Sequence, residues 1–309
     1  IDKIIPEKHG GAHRHKIEQF RIVKKFIMAN IIDGRQLSKI LQKKIKSEVD
    51  AFFEKSKRYP LMVLIQVGKN SESSSYIRLK MKACDRVGIL HQHITYGENI
   101  TTDGIIDAIN LYNESDNYDG ILVQLPLPKH LNQELIIESI NPNKDVDGFH
   151  STNVSKLLSG NDVNTFMIPP TPMGCLQLIE HADVPLVGKH VVIIGRSNLV
   201  GKPLASLLLS YDATVTICHS KTRNIKNITK NADILIVAVG NPHMVKEDWI
   251  KPGACVIDVG ITYLDDNTTK RGYKIYGDVD FENVKKIAGH ITTVPGGVGP
   301  MTITMLLYN

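Results

Sequence analysis

The chain has 309 residues, 42% of them hydrophobic and 22% charged, with a net charge of +5 at pH 7. That composition can bury a core of about two domains and excludes a disordered or low-complexity chain beyond the first residues. No apolar run reaches the roughly 18 residues of a membrane span. The basic residues are dispersed except for Arg14, Lys16, Arg21, Lys24 and Lys25, so neither membrane nor nucleic acid is an expected partner.

Residues 1–27 contain His9, Gly10, Gly11, His13 and His15, a set able to bind metal. They read instead as a leader outside the native fold. Glu7 and Glu18 interrupt them, the apolar stretch of a signal peptide is missing, and Met28 before Ala29-Asn30-Ile31-Ile32 looks like a native start.

From Asp33 the pattern alternates. Residues 36–53 carry Leu37, Ile40, Leu41, Ile45 and Val49 at helical spacing. Residues 61–67 form a short apolar run closed by Gly68, a buried strand. Residues 72–87 read as a helix stopped by Gly88, residues 89–96 alternate as a strand, and residues 103–112 are helical with Thr101 or Thr102 as N-cap. A strand follows at 119–125, ended by Pro126 and Pro128, then a helix at 131–140. A second series has strands at 190–194, 213–218, 233–239 and 254–259, a helix at 201–210 and a final helix at 301–307. Strand–helix alternation implies parallel sheets with crossover helices. The Gly- and Pro-rich stretch between Asn141 and Pro172 is the natural boundary. Two α/β domains with a cleft between them are expected.

The four cysteines, Cys84, Cys175, Cys218 and Cys255, form no CxxC pair, so no metal site is expected. Cys175, Cys218 and Cys255 lie in apolar stretches and read as core thiols of a reducing compartment, which with the absent export signal points to the cytoplasm.

The run VVIIGRSNLVGKP, 191–203, is a strand, a Gly-containing turn and a helix start. A Rossmann-like domain places a pyrophosphate there, with Gly195 allowing the tight turn and helix N-terminal amides facing the anion. The spacing is not GxGxxG, and taken alone the turn fits a structural loop as well. The next strand decides more. It ends at Cys218-His219-Ser220, where an NAD-specific enzyme usually places an acid for the ribose hydroxyls. Arg196, Ser197, His219, Ser220 and Lys221 supply donors and positive charge instead, a set that suits the 2′-phosphate of NADP.

Tyr76 and Lys80 share a face of the helix at 72–87. Such a pair alone is more often packing plus a snorkelling amine. Here it follows a strand and the serines 71–75, near the C-terminal edge of the first sheet, where open α/β sheets bind ligands. Gln124 ends the strand at 119–125 on that edge, and Asp147 follows the next helix, so the four could converge; Asp145 is most simply a turn or cap residue. Pro295-Gly296-Gly297-Val298-Gly299-Pro300 is a rigid, side-chain-poor loop that lets backbone approach a flat ligand, or simply a helix lead-in.

From about Ile31 onward the chain resembles the bifunctional methylenetetrahydrofolate dehydrogenase/cyclohydrolase family. The resemblance rests on YIRLKMKACDRVGI, DGILVQLPLP, NPNKDVDGFH, PPTPMGCLQLIE, GRSNLVGKP, TVTICHSKT and PGGVGPMTITML, in the family's order. It implies a folate-binding domain from residues 28–148 with 294–309, and a Rossmann-like NADP-binding domain from 149–293. It implies that NADP+ takes a hydride from 5,10-methylenetetrahydrofolate and that water opens the methenyl product to 10-formyltetrahydrofolate, serving purine biosynthesis among other one-carbon uses. It also implies a homodimer. By the resemblance Lys80 is the main catalytic residue, Tyr76 lies against the folate, Gln124 tunes the lysine and Asp147 holds the pterin ring. Leu125, Pro126, Pro295, Gly296 and Gly297 line the folate site, and Gly195, Arg196, Ser197, His219, Ser220 and Thr171 face the cofactor. Because the methenyl ring is cationic, a lysine of lowered pKa would serve beside it, and Lys80 is assigned mainly to the hydrolytic step.

Three features depart from that pattern. Residues 1–27 have no family counterpart, Pro170 stands where some members carry Cys, and the family's last helix usually runs beyond the position of Asn309. Three rivals are weighed. The Tyr-x-x-x-Lys pair also marks short-chain dehydrogenases, but there the Gly-rich turn comes first, whereas Tyr76 precedes Gly195. A monofunctional dehydrogenase is opposed by the presence of both Lys80 and Gln124. A nucleotide-binding protein that has lost catalysis is opposed by intact Lys80, Asp147 and PGGVGP.

Overall fold

The computed structural model describes residues 28–269 and 272–309, so the leader reading of residues 1–27 and its histidines lies outside the described residues. Strand β1 (Asn30–Ile32) leads into α1 (Gly34–Ser56), whose first amides are capped by the Asp33 carboxylate, which accepts from the Arg35 and Gln36 N–H groups at 2.9 and 3.1 Å. There follow β2 (Leu61–Val67), α2 (Ser71–Val87), β3 (Leu90–Tyr96), α3 (Thr102–Glu114), β4 (Gly120–Val123) and α4 (Gln133–Glu138). Their strands make a parallel sheet in the order β3-β2-β4. The Thr101 side chain caps α3.

Strand β2 shows why the segment reads as a continuous apolar run. Met62 and Leu64 pack under α1 and α2, while Val63, Ile65 and Val67 pack toward α3 and α4. Helices cover both faces, so every second residue has an apolar partner on either side.

After α5 (Ser151–Leu158) and α6 (Pro170–His181) come β5 (His190–Ile194), α7 (Gly201–Leu209), β6 (Thr214–Cys218), α8 (Ile225–Thr229), β7 (Ile234–Val237) and β8 (Cys255–Asp258). The hairpin strands β9 (Thr262–Asp265) and β10 (Tyr273–Tyr276) follow, then α9 (Phe281–Val284), β11 (His290–Thr292) and α10 (Val298–Tyr308). The second sheet is parallel throughout, in the order β1-β11-β8-β7-β5-β6. Val191 and Ile193 face one apolar layer, and Val192 and Ile194 the other. All four cysteines are buried and free.

The sequence reading names no strand at residues 30–32; in the fold Asn30, Ile31 and Ile32 pair with His290, Ile291 and Thr292 at the edge of the second sheet. Three-residue strands joined across 260 residues leave no periodic signal. The boundary stretch is also less loop-like than its glycines and prolines suggest, since it holds α5 and the start of α6.

Helix α10 is apolar almost all round and is buried between the two halves, packing on α6, α1 and α2. Its polar tie is a buried cluster. The Gln42 amide donates to the Ser38 and Thr304 hydroxyls at 3.1 and 3.0 Å, and those hydroxyls are 2.8 Å apart. No helix among the described residues is long and apolar enough to cross a membrane.

Candidate active site

Helix α2 starts past the C-terminal end of β2, which places Tyr76 and Lys80 one turn apart near that sheet edge. Lys80 is buried at 5% exposure. Its Nζ donates to Gln124 Oε1 at 3.1 Å and lies 5.2 Å from the centre of the Tyr76 ring. Gln124 is the first residue after β4, and its N–H still extends the ladder by donating to the Ile65 carbonyl at 2.8 Å. Its side-chain amide donates to the Leu125 carbonyl at 2.7 Å. Pro126 beyond it is exposed, and the Leu125–Pro126 bond is cis.

Burial holds the Lys80 amine below the ordinary lysine range, against the opposing pull of the Asp147 carboxylate. Asp147 is itself pushed up by burial and pulled down by Lys80, and its side chain makes no hydrogen bond among the described residues. Tyr76 is raised by burial and then by Asp147 and Tyr263, while a hydrogen bond with Thr302 acts the other way. Tyr76, Lys80, Gln124 and Asp147 are therefore one neighbourhood. Asp145 is apart from it in role. Its carboxylate accepts from the His150 N–H at 2.8 Å and the Asn153 amide at 3.1 Å, bracing the start of α5.

Tyr76 opens onto a cleft of about 870 Å³ bounded by α1, α2, Asp258–Ile261, the β9–β10 hairpin and residues 293–300. Pro295, Gly296 and Gly297 line it, whereas Lys80, Gln124 and Asp147 do not. The loop packs hard on α1, for a Cβ on Gly34 would stand 1.9 Å from the Gly297 carbonyl oxygen. At its floor, Asp258 accepts from the N–H groups of Gly260, Asp278 and Val279, and burial pushes its carboxyl up to about 7.

The second group of candidates lies at the C-terminal edge of the six-stranded sheet. Gly195 follows β5 with φ of 127°, its N–H donating to the Cys218 carbonyl at 2.9 Å, and a Cβ there would sit 2.3 Å from the Ala238 carbonyl oxygen. Arg196 and Ser197 are exposed, and the Ser197 hydroxyl accepts from the Val200 N–H at 3.1 Å. His219 and Ser220 follow β6. His219 Nδ1 accepts from the Lys221 N–H at 3.2 Å, leaving Nε2 to carry the ring proton. Among the described residues Arg196 enters no ion pair, and no acid stands at the end of β6.

Thr171, at the start of α6, is tied to Thr302 of α10, their hydroxyls 3.0 Å apart. Thr302 thus touches both Thr171 and Tyr76. Sequence reasoning missed Thr302, Tyr263 and Asp258, which are ordinary strand and helix residues until the fold carries them to Tyr76 and the cleft. The one available signal for Thr302 was its place inside PGGVGPMTITML.

Comparison with known proteins gives the same frame. Residues 32–147 match the catalytic domain of tetrahydrofolate dehydrogenase/cyclohydrolase, and residues 169–309 its NAD(P)-binding domain. The chain is 50% identical over 283 residues to the bifunctional protein FolD of Bacillus cytotoxicus, covering 92% of this chain and 96% of that one. Among solved structures, the bifunctional FolD enzyme of Campylobacter jejuni superposes with a TM-score of 0.86 at 43% identity, over 91% of this chain and 96% of its own. The Trypanosoma brucei enzyme, solved with NADP cofactor and inhibitor, gives 0.86 at 38%, over 91% and 95%.

Proposed function

Since the chain belongs to the tetrahydrofolate dehydrogenase/cyclohydrolase family, we infer that it oxidises 5,10-methylenetetrahydrofolate with NADP+ and hydrolyses the 5,10-methenyl product to 10-formyltetrahydrofolate. The observation that carries the site assignment is the buried Lys80 amine, bound to the neutral Gln124 amide and set against Tyr76.

The donor set beside β5 and β6 fits NADP. Arg196 brings a guanidinium with no ion pair among the described residues, His219 and Ser220 bring donors, and no acid stands at the end of β6. Arg196, Ser197, His219 and Ser220 hold the adenosine 2′-phosphate end, Gly195 lets the backbone come close to the pyrophosphate, and Thr171 serves the side nearer Tyr76. When bound, NADP+ supplies the acceptor for the hydride of the methylene carbon. The protein's task in that step is positioning. Tyr76 and the Pro295–Gly297 backbone clamp a flat ligand from two sides, Leu125 and Pro126 close its edge, and the Asp147 carboxylate takes hydrogen bonds from the pterin amino groups.

The hydrolytic step needs a base. The neutral Lys80 amine takes a proton from water as the water oxygen bonds to the methenyl carbon. The carbon–N5 bond then breaks with its electron pair going to N5, where Lys80 returns the proton. The carbinol hydroxyl loses its proton to solvent, and the formyl group stays on N10. Burial lowers the Lys80 pKa, which favours the neutral amine that can do this beside a cationic ring.

Residues 28–148 with 294–309 form the folate-binding part and 149–293 the cofactor-binding part, with β1 reaching across to the second sheet. The chain works as a cytoplasmic homodimer. What supports the dimer is β3, a seven-residue edge strand whose outer backbone groups have no strand partner among the described residues. The four free, buried thiols support the cytoplasm. Sedimentation showing a single-chain mass at micromolar concentration would remove the dimer from this reading.

The deciding assay mixes purified protein with 5,10-methylenetetrahydrofolate and either NADP+ or NAD+, following reduced nicotinamide and the methenyl compound by absorbance. NADPH formation with little methenyl accumulation is expected. Lasting methenyl accumulation would leave a dehydrogenase alone, and no turnover would reject the enzyme reading.

A further inference from the structure

We propose that Asp258 and Asp278 are positioning residues that join the two ligand sites, Asp278 setting the backbone of residues 239–241 on the cofactor side and Asp258 setting the root of the β9–β10 hairpin on the folate side. The proposal rests on the folate and NADP reading above and adds how the two sites are held together.

Both side chains are buried. Asp258 is the last residue of β8 and Asp278 comes just after β10, so they stand at the two stems of the hairpin. Their packing is crossed. A Cβ on Gly277 would be 2.0 Å from Asp258 Oδ2, and one on Gly260 would be 2.3 Å from Asp278 Cγ. Each carboxylate therefore sits on the glycine of the opposite stem, where any side chain would displace it. Asp258 Oδ1 accepts from the Gly260 and Asp278 N–H groups, and Oδ2 from the Val279 N–H, each at 3.0 Å. Strands β9 and β10 pair only with each other among the described residues. A lone hairpin is marginally stable at best, so its root decides where it stands. It brings the cross-strand neighbours Tyr263 and Ile275 to the cleft that Tyr76 also lines.

Asp278 turns toward the other site. Its Oδ2 accepts from the Val239 and Gly240 N–H groups at 2.7 and 3.0 Å, and its Oδ1 from the Asn241 N–H at 2.7 Å. Three consecutive amides of an exposed loop are thus drawn inward onto one buried carboxylate. The loop leaves the C-terminal end of β7 beside the Gly195 turn. There the Ala238 N–H donates to the Ile194 carbonyl at 2.8 Å, and the Ala238 carbonyl leaves no room for a Cβ on Gly195. Open parallel sheets bind ligands at that edge, so residues 239–241 are a wall of the dinucleotide site. Asp258 holds the Asp278 N–H and Asp278 holds the loop, so a shift of either wall strains the other.

Substitution by Asn tests this, because both oxygens of each carboxylate accept N–H groups and an amide NH2 meets a donor whichever way it is turned. The experiment measures calorimetric binding of NADP+ alone and of 5,10-methylenetetrahydrofolate alone, with kcat, in the full chain and in Asp258→Asn and Asp278→Asn. Asp119→Asn, at the start of β4, is the reference for a loss of stability alone. Asp278→Asn should weaken NADP+ about tenfold, the worth of about one hydrogen bond, and the folate by a smaller factor. Asp258→Asn should reverse that order, Asp119→Asn should leave both affinities unchanged, and kcat with both ligands saturating should fall less than the affinities. Variants that melt earlier yet keep both affinities, or that each weaken one ligand alone, overturn the proposal. Either variant suffices if the other does not fold, since each is expected to weaken both ligands. Binding of neither ligand by the unaltered chain would instead defeat the folate and NADP reading itself.

Discussion

Lys80 Nζ donates to Gln124 Oε1 at 3.1 Å, and the same Gln124 amide is held by its donation to the Leu125 carbonyl at 2.7 Å. The second bond fixes which way the first must point, since the amide nitrogen is already engaged and only oxygen is left to face the lysine. The partner is neutral, so burial rather than ion pairing decides the protonation of Lys80. Replacing Lys80 by Met keeps the volume and removes the base. Methenyl hydrolysis is expected to fall by about 10²–10⁴-fold, the usual worth of a positioned acid–base group, while hydride transfer falls far less. Decay of methenyl absorbance measures it, and hydrolysis at the unaltered rate would show that Lys80 is not the base.

Gln124→Glu tests the charge argument. A carboxylate at the same place stabilises the protonated lysine and raises its pKa. The active form is the neutral amine, so hydrolysis declines as pH falls through the Lys80 pKa. Raising that pKa moves the decline to higher pH and slows hydrolysis at neutrality. The pH profile of the hydrolytic step is the measurement; an acid limb that does not move belongs to another group.

Much of the architecture is legible in the sequence where one element carries its own signal. The runs 61–67 and 190–194 are bounded correctly because buried parallel strands are apolar at nearly every position, Gln66 and His190 being the polar members. The 119–125 strand and the 131–140 helix are shorter in the fold, Gly120–Val123 and Gln133–Glu138, because tight turns take their ends. What the residues alone do not reveal is pairing across distance. Tyr76 and Lys80 announce themselves as i, i+4 neighbours, but their meeting with Gln124 and Asp147 depends on sheet order, and Thr302 reaches Tyr76 only because α10 is threaded between α1 and α6.

Arg196→Ala probes the cofactor assignment. A charge-assisted hydrogen bond to a phosphate is worth about 1.5–3 kcal/mol, so KM for NADP+ should rise about 10–100-fold. KM for NAD+, which lacks the 2′-phosphate, should change little. Equal losses with both dinucleotides would place Arg196 on the shared pyrophosphate or in the fold rather than on the distinguishing phosphate.

The Arg58–Asp119 pair gives the stability prediction. Arg58 Nη1 and Nη2 donate to the two carboxylate oxygens at 2.6 and 2.7 Å, and the Leu61 N–H donates to the same carboxylate at 2.9 Å, clamping the starts of β2 and β4. Burial works to raise the Asp119 pKa, but the Arg58 and Leu61 hydrogen bonds outweigh it and hold the carboxyl below its ordinary value. A carboxyl with a depressed folded pKa favours the native state above its unfolded pKa of about 3.9, and that contribution fades as pH falls through the folded value. Both side chains are more than a third exposed, at 39% and 34%, so solvent screening limits the pair to about 1 kcal/mol despite its two-pronged geometry. Asp119→Asn should therefore lower the denaturant midpoint at pH 7 by a corresponding amount, and the gap between variant and unaltered chain should close below about pH 4. A gap that stays constant from pH 7 to pH 3 would mean that the carboxylate acts as a neutral hydrogen-bond acceptor for Leu61 and that its charge contributes nothing.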